Sequence, residues 1–286
     1  MKFWMVSISI FKMFPKYNFT IFEISKSSAV VFVQTHHYSK VMPRLTKHYL
    51  GVHTDGKLVG VLTLGWGTQP LHTIKKLFPN CTSADYYEIG KMCMSPDMPR
   101  NSESQMLSAV IGWMRKNTPD KKFLYTWADG IVGKPGYVYQ SANFLYGGFI
   151  WTDVYIGADG EKIHPRTSKS LCEENAKLLG KSKVFWLTPD FMHSKGIRRI
   201  KGKQFRYIMP LNKTAKKELK NSTVNWSIAY PKHSDLQWKQ QGKDGKYTLL
   251  ASMPEFKLDV VNVNAKNVNA HKQNPQSIVD LMGEMC

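Results

Sequence analysis

Asp129 closes an apolar run, Phe123 to Trp127 with Ala128, and opens a stretch with three glycines, Gly130, Gly133 and Gly136, around Pro135. A Tyr-rich, helix-compatible segment carrying Tyr137 and Tyr139 follows. Glycine lets backbone approach a ligand closely or adopt a positive φ, and proline stiffens a turn. A carboxylate at a strand end, beside such a turn and a following helix, stands where open α/β sheets bind ligands. Asp129 there could orient a ligand, accept a proton or bind a metal. Capping the next helix is the plain structural alternative. His37 and Tyr38, preceded by His36, follow an apolar element and form a second candidate group. A His beside a Tyr can act as a base, stack on a nucleobase or ligate a metal, and a structural His is the alternative.

The elements that must position these residues are readable from periodicity. Phe19 to Ile24 forms a strand and Ala29 to Val33 an apolar element. Tyr49 to His53 and Leu58 to Leu64 flank Asp55-Gly56, a strong hairpin signal. Tyr86 to Met94 is a further strand. A helix opens near Asn101, where Ser102 and Gln105 fit a capping box. Its apolar face is Met106, Leu107, Val110, Ile111 and Met114, and Pro119 ends the pattern. Phe123 to Trp127 is the next strand. A helix over about Tyr137 to Leu145 follows and is broken by Gly147-Gly148. Phe149 to Ile156 and Gln204 to Met209 close a mixed α/β sheet.

With 286 residues, 42% apolar and 12% aromatic, the chain can bury a real core and is not a disordered polymer. A formal charge of +19 is far from that of a typical small-molecule enzyme and draws polyanions. Abundant Trp and Tyr, able to stack on bases, turn this toward nucleic acid; a merely solubilising surface is the alternative. Cationic residues crowd Lys195 to Lys220, among them Arg198, Arg199, Lys201 and Lys203, with Glu218 alone opposing them. Mixed with Phe205 and Tyr207, they read as a phosphate-tracking ribbon or as a solvated face.

The four cysteines, Cys81, Cys93, Cys172 and Cys286, have no zinc spacing and read as free thiols in a reducing compartment. Met1 to Phe14 is apolar with Lys2 and Lys12, without a cleavage pattern and too short to span a membrane. The expected location is the cytoplasm. The chain divides into residues 1–16, of unclear role, a catalytic domain over 17–212, and a basic extension over 213–286, Asn-rich and flexible from Val260 to Gln276.

Taken together, the chain is similar to the GNAT acyltransferase fold, and more specifically resembles the phage Mom-type DNA adenine modification proteins. The residues that carry this are His36-His37-Tyr38-Ser39, Tyr86 to Cys93, Pro99 to Ser104, Asp129 to Tyr139, and Gly202 to Tyr207. The resemblance implies a GNAT-like mixed central sheet flanked by helices. It also implies conversion of the exocyclic amine of adenine in double-stranded DNA to a carbamoylmethyl form that hides sites from restriction. Matched position by position, it carries over His37, Tyr38, Arg100, Ser104, Asp129 and Tyr139. Tyr139 stands where such acyltransferases place a tyrosine that protonates a departing thiolate; packing on the helix face is the alternative. Glu88 lies on the strand where this fold keeps a general base, or is a solvent-facing strand residue, and Gly90 allows a local splay.

An acetyl-CoA or related acyl-CoA is the implied donor, although Met98 to Ser102 replaces the usual Gly-x-Gly loop. Arg100, Asn101 and Ser102 at the helix start are the expected pyrophosphate partners. Because a carbamoylmethyl group is not a plain acyl product, iron held by His37, Tyr38 and Asp129 is a further expectation. Candidate base stackers are Tyr38, Trp66, Tyr137, Tyr139 and Trp151. The competing readings are a conventional N-acetyltransferase and a non-catalytic nucleic-acid-binding protein on the same fold.

Overall fold

A computed structural model describes residues 17–39, 41–163 and 169–257. The N-terminal segment up to residue 16, the Asn-rich stretch from Val260 and Cys286 lie outside the described residues. The strands are β1 (Thr20–Glu23), β2 (Leu45–Thr54), β3 (Lys57–Trp66), β4 (Tyr86–Met94), β5 (Phe123–Asp129), β6 (Leu145–Ile156), β7 (Lys162–Ile163), β8 (Arg198–Pro210), β9 (Trp238–Gln241) and β10 (Tyr247–Leu249). The helices are α1 (Lys26–His36), α2 (Pro70–Leu77), α3 (Ser102–Asn117), α4 (Tyr137–Ser141), α5 (Lys169–Leu178), α6 (Pro189–Ser194) and α7 (Lys213–Glu218).

The strands form one mixed sheet in the order β1-β2-β3-β4-β5-β8-β6-β7, with β9 on β8 and β10 on β9. Only β4 and β5 run parallel among the paired strands, as a strand–helix–strand unit joined by α3 requires. This is the mixed central sheet with flanking helices that the acyltransferase resemblance implies. The β2–β3 hairpin turns on Asp55 and Gly56, both at positive φ (49° and 74°), as an Asp-Gly turn demands. In α3, Met106, Leu107, Val110, Ile111 and Met114 all face the main core.

Three local expectations change. The capping box at α3 does not form: Asn101 takes a left-handed conformation (φ 74°), and the Ser102 hydroxyl donates to the Pro99 carbonyl at 2.6 Å. The helix after Pro135 stops at Ser141, because Asn143 turns the chain at φ 60°. Gly147-Gly148 therefore lies inside β6, as a bulge between the pairs Tyr146↔Tyr207 and Phe149↔Phe205. The bulge seats Trp226, whose ring a Cβ at Gly147 would strike.

Packing continues across Asn212. Trp226 stacks in parallel on Phe78 with ring centres 6.0 Å apart, and β9 pairs with β8 where β5 has ended. Trp226 is only 5% exposed. Trp226→Ala should therefore cost about 3–5 kcal/mol in urea unfolding; a loss below about 1 kcal/mol would show that these residues do not brace the fold.

Candidate functional site

The site begins with a parting of strands. β4 and β5 pair only over Tyr86↔Phe123, Tyr87↔Leu124 and Glu88↔Tyr125, and then diverge. At that point the β3–β4 ladder slips, with Thr63 opposite Lys91 and Leu64 opposite Ile89, leaving Gly90 as the extra residue of a bulge. The Lys91 N–H donates instead to the Thr63 hydroxyl at 2.8 Å. A Cβ at Gly90 would meet Pro43 at 2.6 Å, so only glycine fits this close approach. The freed ends, Ile89 to Met94 and Trp127 to Asp129, line a cleft of about 1430 Å³.

A second wall is the glycine-rich loop after β5. Gly133 and Gly136 take φ of 76° and 98°, and a Cβ at Gly136 would collide with the Tyr207 ring. The Tyr207 hydroxyl donates to the Pro135 carbonyl at 2.5 Å and accepts from Gln140 Nε2 at 3.0 Å, pinning the loop to β8. The remaining walls come from the end of α1 with His37 to Ser39, the start of α3, β7 with the turn before it, and His233, Phe256 and Lys257.

Of the residues singled out by sequence, His37, Tyr38, Arg100, Asn101, Ser104, Asp129 and Tyr139 line this one cleft. Ser102 does not; it is buried behind it. Asp129 Oδ1 accepts the Ile131 N–H at 3.1 Å, so it both caps the turn and borders the cleft. Burial raises its pKa, against the pull of Lys162, the Ile131 N–H and Lys134. Tyr139 is buried, hydrogen-bonded to the Thr126 side chain, and its phenol pKa is likewise raised by burial. Burial, then Asp129, then Tyr139 raise the Tyr38 phenol too, which ties the three groups into one electrostatic unit. Tyr38 is already engaged on its ring, by His37 (4.5 Å, stacked) and by Lys134 Nζ at 4.0 Å. Ser104 turns its hydroxyl to the Asn101 carbonyl at 2.9 Å.

Three lysines that sequence reasoning passed over belong here. Lys91 donates to the Ser39 carbonyl and hydroxyl, both at 2.8 Å, which ties the His37–Tyr38 segment to β4. Its pKa falls to about 8, through burial and then the charge of Lys162. Lys134 and Lys162 border the same space. Lys134 sits inside the glycine-rich loop, which was the available signal; Lys91 and Lys162 look like ordinary strand lysines.

Other candidates lie elsewhere. Glu88 does not line the cleft: it accepts the Gly67 N–H, and burial raises its pKa to about 7. Trp66 donates its indole N–H to the Ser83 carbonyl at 2.9 Å, away from the cleft. Tyr137, in contrast, lines the cleft and is 51% exposed. Arg198, Arg199, Lys201 and Lys203 run along β8 outside the cleft. Arg199 pairs with Asp153 at 2.8 Å, and Lys203, 8% exposed, donates to the Asp235 carbonyl at 2.8 Å.

Iron is not supported here. Among the described residues no three His, Cys, Asp or Glu side chains gather as a metal site. His37 Nδ1 is taken by the Ser39 N–H at 2.9 Å, and Asp129 Oδ1 by the Ile131 N–H. Cys81 and Cys93 are buried free thiols, Cys172 is buried as well, and no described helix is long and apolar enough to cross a membrane.

The fold and the cleft define a mixed α/β protein with a polar site where its central sheet parts. Residues 18–232 match the model of the Mom protein family. The chain is 32% identical over 202 residues to methylcarbamoylase mom of Escherichia phage Mu, covering 70% of this chain and 78% of that one. The chain belongs to the Mom protein family. Among solved structures it is similar to a GNAT-family acetyltransferase from Desulfovibrio desulfuricans (10% identity, 68% of this chain and 99% of that one, TM-score 0.36). It is also similar to a tandem GNAT protein from the clavulanic acid biosynthesis pathway (11% identity, 92% and 94%, TM-score 0.32).

The cleft's electrostatics are testable at His37. Burial, Lys91 and Lys134 lower its pKa from 6.5 to about 4. Between those values the unfolded chain holds a proton that the folded chain lacks. The contribution of neutral His37 to stability is thus lost as pH falls through that window. An NMR titration should give a His37 midpoint near pH 4, moving toward 6.5 in Lys91→Met; a wild-type midpoint at or above 6.5 contradicts the buried, cation-flanked site.

Proposed function

We propose that this chain is a DNA-modifying enzyme, converting the exocyclic amine of adenine in double-stranded DNA to its carbamoylmethyl derivative and so protecting the DNA from restriction. The observation that carries the reading is the meeting of His37, Tyr38, Arg100, Ser104, Asp129 and Tyr139 in one cleft, in a member of the Mom family. A relative named methylcarbamoylase supports it.

The adenine amine is a poor nucleophile because its lone pair is delocalised into the ring. It must be held close to an activated carbon while its proton is removed. Asp129 suits that role, because burial raises its proton affinity at the tip of β5. Tyr139 keeps its proton for the same reason and can hand it to a leaving group. A duplex base reaches the cleft only by extrusion, and exposed Tyr137 at the rim offers a face to stack on.

An acyl-CoA or related donor fits the remaining walls. The parting strands, Arg100 and the first turn of α3 offer an anion a guanidinium and a helix N-terminus, while Glu103 in that turn limits the charge that can approach. Attack at a thioester carbonyl would leave an N-acyl adenine, so the carbamoylmethyl product needs the amine to bond instead to a methylene of the donor that carries the leaving group. A carbamoylmethyl group is joined through a methylene, so the donor is assigned by class and not as acetyl-CoA itself. We assign the catalytic unit to residues 17–212, braced by residues 213–257, acting in the cytoplasm.

Mass spectrometry of nucleosides from cells expressing the chain should show carbamoylmethyladenine. Asp129→Asn or Tyr139→Phe should lower it by roughly 10²–10⁴-fold while DNA binding persists. Unmodified adenine from the wild type, or an acetylated amine elsewhere, would instead support a conventional N-acetyltransferase or a non-catalytic binder.

A further inference from the structure

A second surface is built on the half of β8 that lies beyond the end of β5. Partners across an antiparallel ladder share a face. The register Phe149↔Phe205, Trp151↔Lys203, Asp153↔Lys201 and Tyr155↔Arg199, with Lys239 opposite Lys201, therefore lines these side chains along one side of β6, β8 and β9. The other side is closed by Val154, Ile156, Ile200 and Trp238, all buried. On the open side Phe149 is 42% exposed.

Every exposed or half-buried ring of this face has a cation beside it. Lys239 Nζ lies 4.4 Å from the Trp151 ring centre, Lys203 Nζ 4.5 Å from that of Phe149, and Lys201 Nζ 4.3 Å from that of Tyr247. The acid of the row, Asp153, is taken by Arg199. Among the described residues no ion pair holds Lys201 or Lys239. The face is therefore cationic and aromatic in alternation, the composition that grips unpaired nucleotides without reading their sequence. It also adjoins the cleft. Lys203 holds the Asp235 carbonyl, while His233, in the same turn, borders the cleft and donates its N–H to the Tyr137 hydroxyl at 3.0 Å.

We propose that this face is the track for the unpaired DNA strand flanking the extruded nucleotide, with bases stacking on Trp151 and Phe149 and phosphates meeting Lys201 and Lys239. The proposal rests on the cleft acting on a nucleotide in DNA. It adds which strand state is held outside the cleft, and by which residues.

Oligothymidine tests the face apart from the cleft, because it offers no adenine amine. Fluorescence anisotropy should show the full chain binding labelled oligothymidine. Phe149→Ala with Trp151→Ala should weaken binding roughly tenfold or more. Lys201→Gln with Lys239→Gln should flatten the salt dependence by about 0.7 per lost phosphate contact. Thermal melting checks that both pairs fold; if the aromatic pair does not, the charge pair decides. Wild-type affinity and salt slope in the folded variants would overturn the proposal. Nucleoside mass spectrometry on the same proteins separates the two claims. Carbamoylmethyladenine from the wild type with unchanged oligothymidine binding in the variants sinks the track alone. Lost binding in the variants without any product from the wild type sinks the cleft reading and leaves a single-strand surface.

Discussion

The site depends on β4 and β5 letting go of each other after Glu88 and Tyr125. Parallel strands exchange hydrogen bonds at every step, so parting them strands backbone groups that need other partners. Here the bulge at Gly90 turns β4 toward β3, and the Thr63 hydroxyl takes up the Lys91 N–H. On the other side β8 accompanies β5 to its last residue, Asp129↔Gln204. The opening is thus held by ladders on both flanks. Asp129 reaches the cleft because it is the last residue of the strand that leaves.

Burial then sets the protonation states. Taking a group out of water disfavours its charged form, which raises acids and lowers bases. Asp129, Tyr38 and Tyr139 shift upward, while His37 and Lys91 shift downward. The lysines that border the cleft temper this: Lys162 and Lys134 hold Asp129 back toward ionisation. A carboxyl poised between these opposing pulls is well suited to exchanging a proton with a weakly basic amine.

Much of this was legible in the sequence, for identifiable reasons. Asp55-Gly56, the apolar face of α3 and the Asp129 to Tyr139 run each combine local propensity with a required backbone geometry, and each stands where expected. What stayed hidden arises from contacts distant in the chain. Lys91 alternates along β4 like a solvent-facing residue, and only its reach to Ser39 across 52 positions brings it into the cleft. Tyr207 closes the Gly202 to Tyr207 run without any local sign of its partner, yet it pins the glycine-rich loop. The basic stretch around Arg198 reads as a continuous ribbon, but strand alternation puts Arg198 on the side opposite Arg199, Lys201 and Lys203, and Lys203 is set into the structure. Gly147-Gly148 resembled a helix stop until Trp226, far along the chain, supplied the reason for a bulge.

The proposed reaction depends on an adenine amine meeting Asp129 inside the parted strands. A crystal structure with an adenine-containing oligonucleotide tests this most directly. It should place the exocyclic nitrogen about 2.6–3.2 Å from the Asp129 carboxylate, with the base beside Tyr137. An adenine bound elsewhere, with Asp129 still facing only its own turn, would contradict it.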